Sequence, residues 1–576
     1  MPRHTLLALL ATTVVLGVPA GAGAAPYQHT PQAVATGGGG AAATVDSVAT
    51  SAAIDALKAG GNAVDATVAA AAVLGVTEPF SSGIGGGGFM VIRTAGGDIT
   101  TIDGREKAPA AMEPDSFWED GAPLQFNAAR YSGLSGGVPG TVASWDRALS
   151  EYGTWSLKRA LERGIDVARE GFMIDQTFHD QAQGNAVWFD DIASSEALYV
   201  DPDGTAHDVG TVQRNPDMAR AYERIAHLGP KGFYRGAIAD ALVEAVQNPP
   251  LTADADHVWR RGLMTMRDLR AYTAPEREPT HVGYRGLDVF GMGPPSSGGS
   301  TVGEALNILE NENLAAMNRI DQLHWFLEAS RYAFADRNAC LADPEFYDVP
   351  LATLLSDDFA AQRHALITDQ AAKSPVAPGL NCPPLPTTPG GSTTHLTVAD
   401  AEGNIVSYTF TIESTGGNGI VVPGWGFLVN NELTDFNFES LTHPNRADGG
   451  KRPRSSMAPT IVLDDGEPFL ATGSPGGSMI ITTVLQVLME RIDAGKKLPQ
   501  AIAEPRASQR NTAATAAEPA FRAAYETALN AAHGHTFTTS AEIGAVTGIE
   551  FLADGGMLAA AEPIRRGGGS AQVVSP

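Results

Sequence analysis

Residues 374–392 divide this chain into two unlike halves. The stretch holds Pro384, Pro386, Pro389, Gly390 and Gly391, residues that remove backbone donors or relax φ and so interrupt helix and strand alike. Before it, from residue 140 onward, apolar side chains recur at helical spacing, as in Leu157–Glu170 and 301–309, between loops rich in Pro and charge. After it the pattern changes to strands over 395–399, 405–412, 426–430, 460–463 and 469–472, followed by an apolar helix over 479–492. Strands covered by a helix and joined to a mostly helical scaffold predict a layered α+β architecture. No internal repeat is visible.

With 576 residues and 43% hydrophobic content, the chain can bury a large core and is not a disordered protein. Lys+Arg 39 against Asp+Glu 65 leave a formal net charge of -26. That field repels phosphate backbones and anionic headgroups, so nucleic acid is excluded as a partner, and the acidity reads as solubility. Met1-Pro2-Arg3-His4, an apolar run over 6–18 and the small residues Ala20-Gly21-Ala22-Gly23-Ala24-Ala25 read as a signal peptide over 1–24, cleaved near Ala24. No later stretch of about twenty apolar residues could span a bilayer, and the signal region has no cysteine for lipid attachment. The expectation is free secretion, extracellular or periplasmic, without a membrane anchor. Residues 25–43, ending in Gly/Ala low complexity, are read as a flexible leader, with the fold starting at Thr44.

Residues 45–74 predict two buried helices joined by Gly60-Gly61-Asn62. Phe89-Met90-Val91-Ile92-Arg93 and Ile99-Thr100-Thr101-Ile102, around Ala95-Gly96-Gly97-Asp98, predict a hairpin that ends in Asp103-Gly104-Arg105-Glu106. Cys340 and Cys382 are the only cysteines. They are too far apart for the paired spacings of a zinc site, so no metal is expected there, and export makes a disulfide between them the expectation.

Two familiar motifs lack their context. Gly83-Ile84-Gly85-Gly86-Gly87-Gly88 matches G-x-G-x-x-G, but it follows a helix and precedes a strand, the reverse of a dinucleotide site. It reads as a loop allowing close backbone approach. Gly133-Leu134-Ser135-Gly136-Gly137 matches G-x-S-x-G, but no apolar strand leads into it, and Pro139-Gly140 prevents an immediate helix.

Gly391-Ser392-Thr393-Thr394-His395 opens a strand directly after the Pro/Gly stretch, where a peptide bond could be cut and the new end exposed at a sheet. Taken alone, it reads as a Thr-rich strand start. Further along, alternation puts Ile405, Ser407, Thr409, Thr411 and Glu413 on one face and Val406, Tyr408, Phe410 and Ile412 on the other, the polar set being the site face.

Several segments, in order from Val45 to the C-terminus, resemble the γ-glutamyltransferase family of N-terminal-nucleophile hydrolases. They include Glu78-Pro79, Ser82-Gly83-Ile84-Gly85-Gly86-Gly87-Gly88-Phe89 and Asp103-Gly104-Arg105-Glu106-Lys107-Ala108-Pro109. Pro294-Pro295-Ser296-Ser297-Gly298-Gly299, Thr393-Thr394-His395 and Asn431-Glu432-Leu433-Thr434-Asp435-Phe436 follow. Lys451-Arg452-Pro453-Arg454-Ser455-Ser456-Met457 and Gly473-Ser474-Pro475-Gly476-Gly477-Ser478 complete the set.

The resemblance implies a four-layer αββα sandwich and a proenzyme cut between Ser392 and Thr393 into a large subunit, 44–392, and a small catalytic subunit, 393–576, intertwined as one domain. It implies Thr393 as nucleophile, Thr411 as its hydrogen-bond partner, and Gly476 and Gly477 as an oxyanion hole. Arg105 with Ser455 and Ser456 would clamp a donor's α-carboxylate, while Glu413, Glu432 and Asp435 would surround its α-ammonium. No cofactor is implied. The implied donors are glutathione, glutamine and poly-γ-glutamate, with water or an amino acid or peptide as acceptor. Two departures stand out: Glu413, where some members carry Asn, and the short connection 437–450, where many carry a longer lid. The first favours donors with a free α-amino group, and the second an open site that takes bulky donors. The alternatives are a glutaryl or cephalosporin acylase of the same fold, a serine hydrolase at Ser135, and a non-catalytic two-lobed solute-binding protein.

Overall fold

The computed structural model describes residues 25–28, 30–382 and 391–575. The expected signal peptide, 1–24, and residues 383–390 of the Pro/Gly stretch lie outside them. The framework is a pair of seven-stranded sheets. In chain order their elements, with the helices that cover them, are β1 (Val34–Gly37), β2 (Ala41–Thr44), α1 (Ser47–Lys58), α2 (Ala63–Thr77), β3 (Gly87–Arg93), β4 (Ile99–Asp103), β5 (Glu276–Arg277), β6 (Thr280–Tyr284), β7 (Leu287–Gly291), α3 (Gly298–Glu310), α4 (Arg319–Cys340), β8 (Thr394–Ala399), β9 (Ile405–Thr411), β10 (Thr460–Asp464), β11 (Glu467–Gly473), α5 (Met479–Ile492), β12 (Thr547–Phe551), β13 (Met557–Ala561) and β14 (Ser570–Val573). One sheet runs β1-β13-β12-β11-β10-β7-β6 and the other β14-β2-β8-β9-β3-β4-β5.

Side-chain alternation sorts each strand between layers. Met90 and Ile92 of β3, with Val406, Tyr408 and Phe410 of β9, share one core cluster with α1 and α2, α2 lying against β9 and α1 against β2. Phe89, Val91 and Ile405 point the other way, toward the facing sheet. That sheet is covered on its far side by α3 and α5, through residues such as Val302, Leu306, Val484 and Leu488. The order helix, sheet, sheet, helix is the expected αββα sandwich, and each large apolar side chain so buried contributes about 1.5–3 kcal/mol. Alanines 69–72 let the wholly buried α2 lie close to its neighbours. Asn62 and Asp65 close a capping box at its start.

Several expectations need correction. Residues 25–43 are not a flexible leader: β1 edges one sheet and β2 sits between β14 and β8 in the other. Ala41, Ala42 and Ala43 are small because they are fully buried there. Residues 426–430 are not a strand. Gly424 and Gly426 stand at φ 75 and 69, a left-handed backbone that breaks a ladder, and only an isolated bridge from Val421 to Leu428 remains. The helical half also supplies β6 and β7, whose alternation (Thr280, Val282 and Tyr284 buried, His281 and Gly283 exposed) is a strand signal passed over among helices. Finally, the polar face of β9, expected to be the site face, lies mostly between the two sheets. Ser407 Oγ donates to the Thr472 carbonyl of the facing sheet and Thr409 Oγ1 meets His395 Nδ1 at 2.8 Å, while the end of that face, at Thr411, lines a cavity.

The Gly83–Gly88 run serves close approach. A Cβ at Gly86 would stand 1.9 Å from the Thr411 carbonyl oxygen and one at Gly88 2.4 Å from Phe410 Cβ. Ser135 is buried, with its hydroxyl donating to the carbonyls of Arg130 and Ser132, so no nucleophile elbow exists there. Cys340, at the end of α4, and Cys382 are disulfide-bonded. Among the described residues no helix is long and apolar enough to cross a membrane.

Candidate active site

The antiparallel register of β8 and β9 brings the central pair together. Thr394 pairs with Phe410, so one step outward Thr393 lies beside Thr411, their hydroxyls 3.3 Å apart. The chain is continuous through this point. Thr393 Oγ1 donates to the carbonyl oxygen of Ser392 at 2.6 Å, and Thr411 Oγ1 donates to the same oxygen at 2.8 Å. The Glu413 N–H donates to Thr411 Oγ1 at 2.8 Å, which commits the Thr411 hydrogen to the carbonyl. A hydroxyl thus sits against the peptide bond preceding it, whose carbonyl is polarised by a second hydroxyl. That arrangement suits intramolecular acyl transfer.

Gly476 and Gly477 lie in the turn from β11 to α5, at φ 129 and 56. Among the described residues neither glycine's N–H has a protein acceptor. Gly477 shares a cavity with Gly391, Ser392 and Thr393. Unpaired N–H groups at a helix start, beside a nucleophile, are suited to an oxyanion.

The same cavity holds every residue expected to bind substrate, but the partners differ from expectation. Arg105, fixed at the end of β4, does not present a free guanidinium. It donates to Glu432, to Asp435 at 2.6 Å, and to the carbonyls of Pro453 and Arg454 at 3.0 and 3.1 Å. Glu413 is engaged by Ser414 and by the Asn431 amide. It stands at φ 76, past the end of β9, so it reaches the cavity by a left-handed turn and not by strand alternation. Ser455 Oγ accepts from the Met457 N–H at 3.1 Å, and Ser456 Oγ from Arg337 Nη2 at 2.5 Å. Arg337 and Arg454 also line the cavity. Sequence reading gave Arg337 no role, because it is one of many polar residues on the long helix α4. A second cavity of about 200 Å³ shares Gly391 and Ser392 with the first and is lined also by Gln181, Thr415, Glu542 and Arg566.

Burial dominates the electrostatics. It pushes the Glu413 carboxyl up to about 7, with Asp435 adding to the effect, and Glu106 up to about 8. Glu432 is also driven well above the usual carboxylate range by burial. Burial alone would pull Arg105 down, but Glu432, Asp435 and Glu106 hold it above its ordinary value, so it stays charged. Arg337 is lowered by burial and by Arg454. Around Arg105 itself, Glu432, Asp435 and Glu106 crowd one guanidinium, and burial raises Glu432 and Glu106, an acidic surround that favours an incoming cation.

Away from this site, His324, Glu328 and His535 could together offer three ligand atoms to a metal. Protein groups already hold them: Arg331 and the Ala372 N–H bind the Glu328 carboxylate, and His324 meets Thr368 O and His535. A guanidinium beside the carboxylate opposes a second cation.

Comparison with known proteins shows what the chain as a whole is similar to. The family model described as Gamma-glutamyltranspeptidase matches residues 49–572. The glutathione hydrolase proenzyme of Escherichia coli (strain K12) is 39% identical over 482 residues, covering 81% of this chain and 80% of that relative. The acylase ACY 1 proenzyme of Pseudomonas sp. (strain V22) is 35% identical over 488 residues, covering 82% and 83%. Among solved structures, the cephalosporin acylase from Bacillus halodurans superposes with a TM-score of 0.82 at 28% identity, covering 98% of this chain and 100% of that one. A match of this extent, with two threonines, a diglycine turn and an Arg–acid cavity converging on one peptide bond, places the chain in the gamma-glutamyltranspeptidase family.

Proposed function

We propose that this protein is a self-cleaving γ-glutamyltransferase and glutathione hydrolase whose nucleophile is Thr393. The observation that carries the reading is the Thr393 hydroxyl, 2.6 Å from the carbonyl oxygen of its own scissile peptide, with Thr411 donating to that oxygen at 2.8 Å. In self-cleavage Thr393 Oγ1 attacks the Ser392 carbonyl carbon, and its proton goes to the departing amide nitrogen. Water then hydrolyses the ester, its hydroxyl going to the acyl carbon and its hydrogen to Oγ1. The products are a large subunit ending at Ser392 and a small one beginning at Thr393. The new α-amino group, with an ordinary pKa of about 7.7–8.0, becomes the base for the threonine hydroxyl.

In turnover Thr393 takes the γ-glutamyl group of glutathione, glutamine or a γ-glutamyl chain, and Gly476 and Gly477 stabilise the oxyanion. Water or an amino acid then receives the acyl group, and the second cavity leaves room for leaving group and acceptor. Donor recognition is an exchange of partners. The α-ammonium takes Glu413, Glu432 and Asp435, which frees Arg105 N–H groups for the α-carboxylate beside Ser455, Ser456 and Arg337. The short connection 437–450 packs back on the body through Phe438 against Phe117, ring centroids 5.1 Å apart, in keeping with a site that admits bulky donors. The N-terminal run over 6–18 supports export of the protein.

The test is intact mass and N-terminal sequencing of purified protein beside Thr393→Ala. The wild type should give a fragment starting at Thr393 and the variant should stay whole; a whole wild type, or a variant still cut there, overturns the mechanism. The likeness to cephalosporin acylase and acylase ACY 1 favours a second reading, removal of a glutaryl group. That donor lacks the α-amino group and leaves Glu413, Glu432 and Asp435 without a cation. Faster hydrolysis of a glutaryl anilide than of a γ-glutamyl anilide would establish it.

A further inference from the structure

Arg566 lies far from Thr393 in sequence and next to it in space. It sits in the turn Arg565–Gly567 between β13 and β14, at φ 55. Its neighbour Arg565 pins that turn by donating to both carboxylate oxygens of Glu518 at 2.5 Å and to Glu562 at 2.9 Å. From this anchored turn Arg566 Nη1 donates to the Thr393 carbonyl oxygen at 2.6 Å. Its Nη2 donates to Glu78 at 3.0 Å and to Ser81 Oγ at 2.6 Å. Ser81 Oγ is 2.7 Å from Ser392 Oγ. Ser81 Oγ accepts from Arg566 and shares a hydrogen bond with Ser392 in which either hydroxyl can be the donor. The guanidinium and carboxylate are mostly buried, at 15% and 11% exposure, so the pair is shielded from screening.

The two ends of this network grip the two sides of one peptide bond. β8 begins at Thr394, so its ladder fixes neither Ser392 nor Thr393. On one side Ser81 holds the Ser392 side chain; on the other Arg566 holds the Thr393 carbonyl. Only the scissile peptide lies between the two contacts. We infer that Arg566, oriented by Glu78, and Ser81 are positioning residues for self-cleavage, an inference that rests on the self-cleavage proposed above. They hold Ser392 and Thr393 so that Thr393 Oγ1 stays against the Ser392 carbonyl. The two contacts have different lifetimes. Cleavage turns Ser392 into a new C-terminus no longer bonded to Thr393, so the Ser81 contact orients the nucleophile in the uncut chain alone. The Arg566 contact is to Thr393 itself and persists in the cut enzyme, where it keeps the nucleophile in place for turnover. A misplacement of about 1 Å at such a site is worth a factor on the order of a hundred in rate.

The test follows the cut between Ser392 and Thr393 over time in full-length chain made by pulse-labelled cell-free synthesis, then measures kcat and KM on a γ-glutamyl anilide for the fraction that has matured. Arg566→Gln should slow self-cleavage at least tenfold and also lower kcat, with KM changed less. Arg566→Lys should recover most of both. Ser81→Ala should slow self-cleavage several-fold, while the matured fraction turns over within threefold of wild type. Wild-type cleavage matched by Arg566→Gln overturns this inference alone. So does a Ser81→Ala enzyme whose kcat/KM falls as far as its cleavage rate, the mark of general misfolding. A wild-type chain that stays whole overturns this inference together with the reading it rests on.

Discussion

Glu413 joins three demands in one side chain. It is a non-glycine residue at φ 76, a conformation costing about 1–2 kcal/mol; its carboxyl is buried; and it faces other acids. Its folded pKa is about 7 against an ordinary 4.5. As pH rises from 4.5 to 7 the unfolded chain gives up this proton while the folded one keeps it, so stability falls across that window and is lowest above it. The loss is roughly 3 kcal/mol at most. In the uncut Thr393→Ala background, Glu413→Gln should melt with its parent at pH 4.5 and about 2 °C above it at pH 8. Equal melting at both values would show that the carboxyl titrates normally. In the cut enzyme the same substitution should raise KM for a γ-glutamyl anilide about tenfold, with less change in kcat, since the lost interaction is to the donor's ammonium. Sequence alone marked Glu413 as a site residue but for a wrong reason. Alternation along β9 ends at Thr411, and the left-handed turn that aims the carboxylate leaves no periodic trace. Arg105 was equally visible from its motif, yet its present partners, Glu432 and Asp435, depend on how β4 and the Glu432–Asp435 turn meet, which no local pattern encodes.

Strands and helices with strong periodicity were readable because one packing partner dominates each. Thus β3, β4, β8 and α5 lie where alternation or helical spacing placed them. What escaped were elements whose residues look alike for different reasons. The alanines of β2 resemble a flexible Gly/Ala tract but are small because two neighbouring strands and a helix crowd them. The glycines at 424 and 426 interrupt an apolar run that otherwise reads as a strand. The Gly83–Gly88 loop shows how backbone contact shapes an element. It passes so near β9 that a Cβ at Gly86 would overlap the Thr411 carbonyl oxygen, 1.9 Å away, whereas Gly97, in the β3–β4 hairpin turn, has nothing nearer than 4.0 Å. Gly86→Ala should therefore push the end of β9 outward, carrying the Thr411 hydroxyl off the Ser392 carbonyl, and slow self-cleavage a hundredfold or more. Gly97→Ala, strained at φ 94 but unobstructed, should cost about 1 kcal/mol of stability and cleave at the wild-type rate. A time course of cleavage for the two variants separates them; comparable rates would mean that Gly86 is only a flexible hinge.

At the scale of the whole molecule, the division of the sequence into a helical scaffold and a catalytic strand-rich half does not divide the structure. In the sheet β14-β2-β8-β9-β3-β4-β5, the strands β14, β8 and β9 come from beyond residue 393 and the rest from before it. In the other sheet, β10 to β13 come from the later part and are flanked by β1 on one side and β7 and β6 on the other. Within both sheets the boundaries between the parts are thus hydrogen-bonded ladders, and helices α3 and α5 pack across the divide as well. Separating the two pieces after cleavage would expose ladder edges and core together, and local patterning cannot reveal such an arrangement because it records only near neighbours. The cut enzyme should accordingly sediment as one species containing both fragments, and should part only at the denaturant concentration where its circular dichroism is lost. Residues 393–576 made alone should give no cooperative melting transition, since they would leave β8 without β2 and β9 without β3. A small subunit that folded by itself, or fragments that separated before unfolding, would mean that the ladders between them contribute little to holding the sandwich closed.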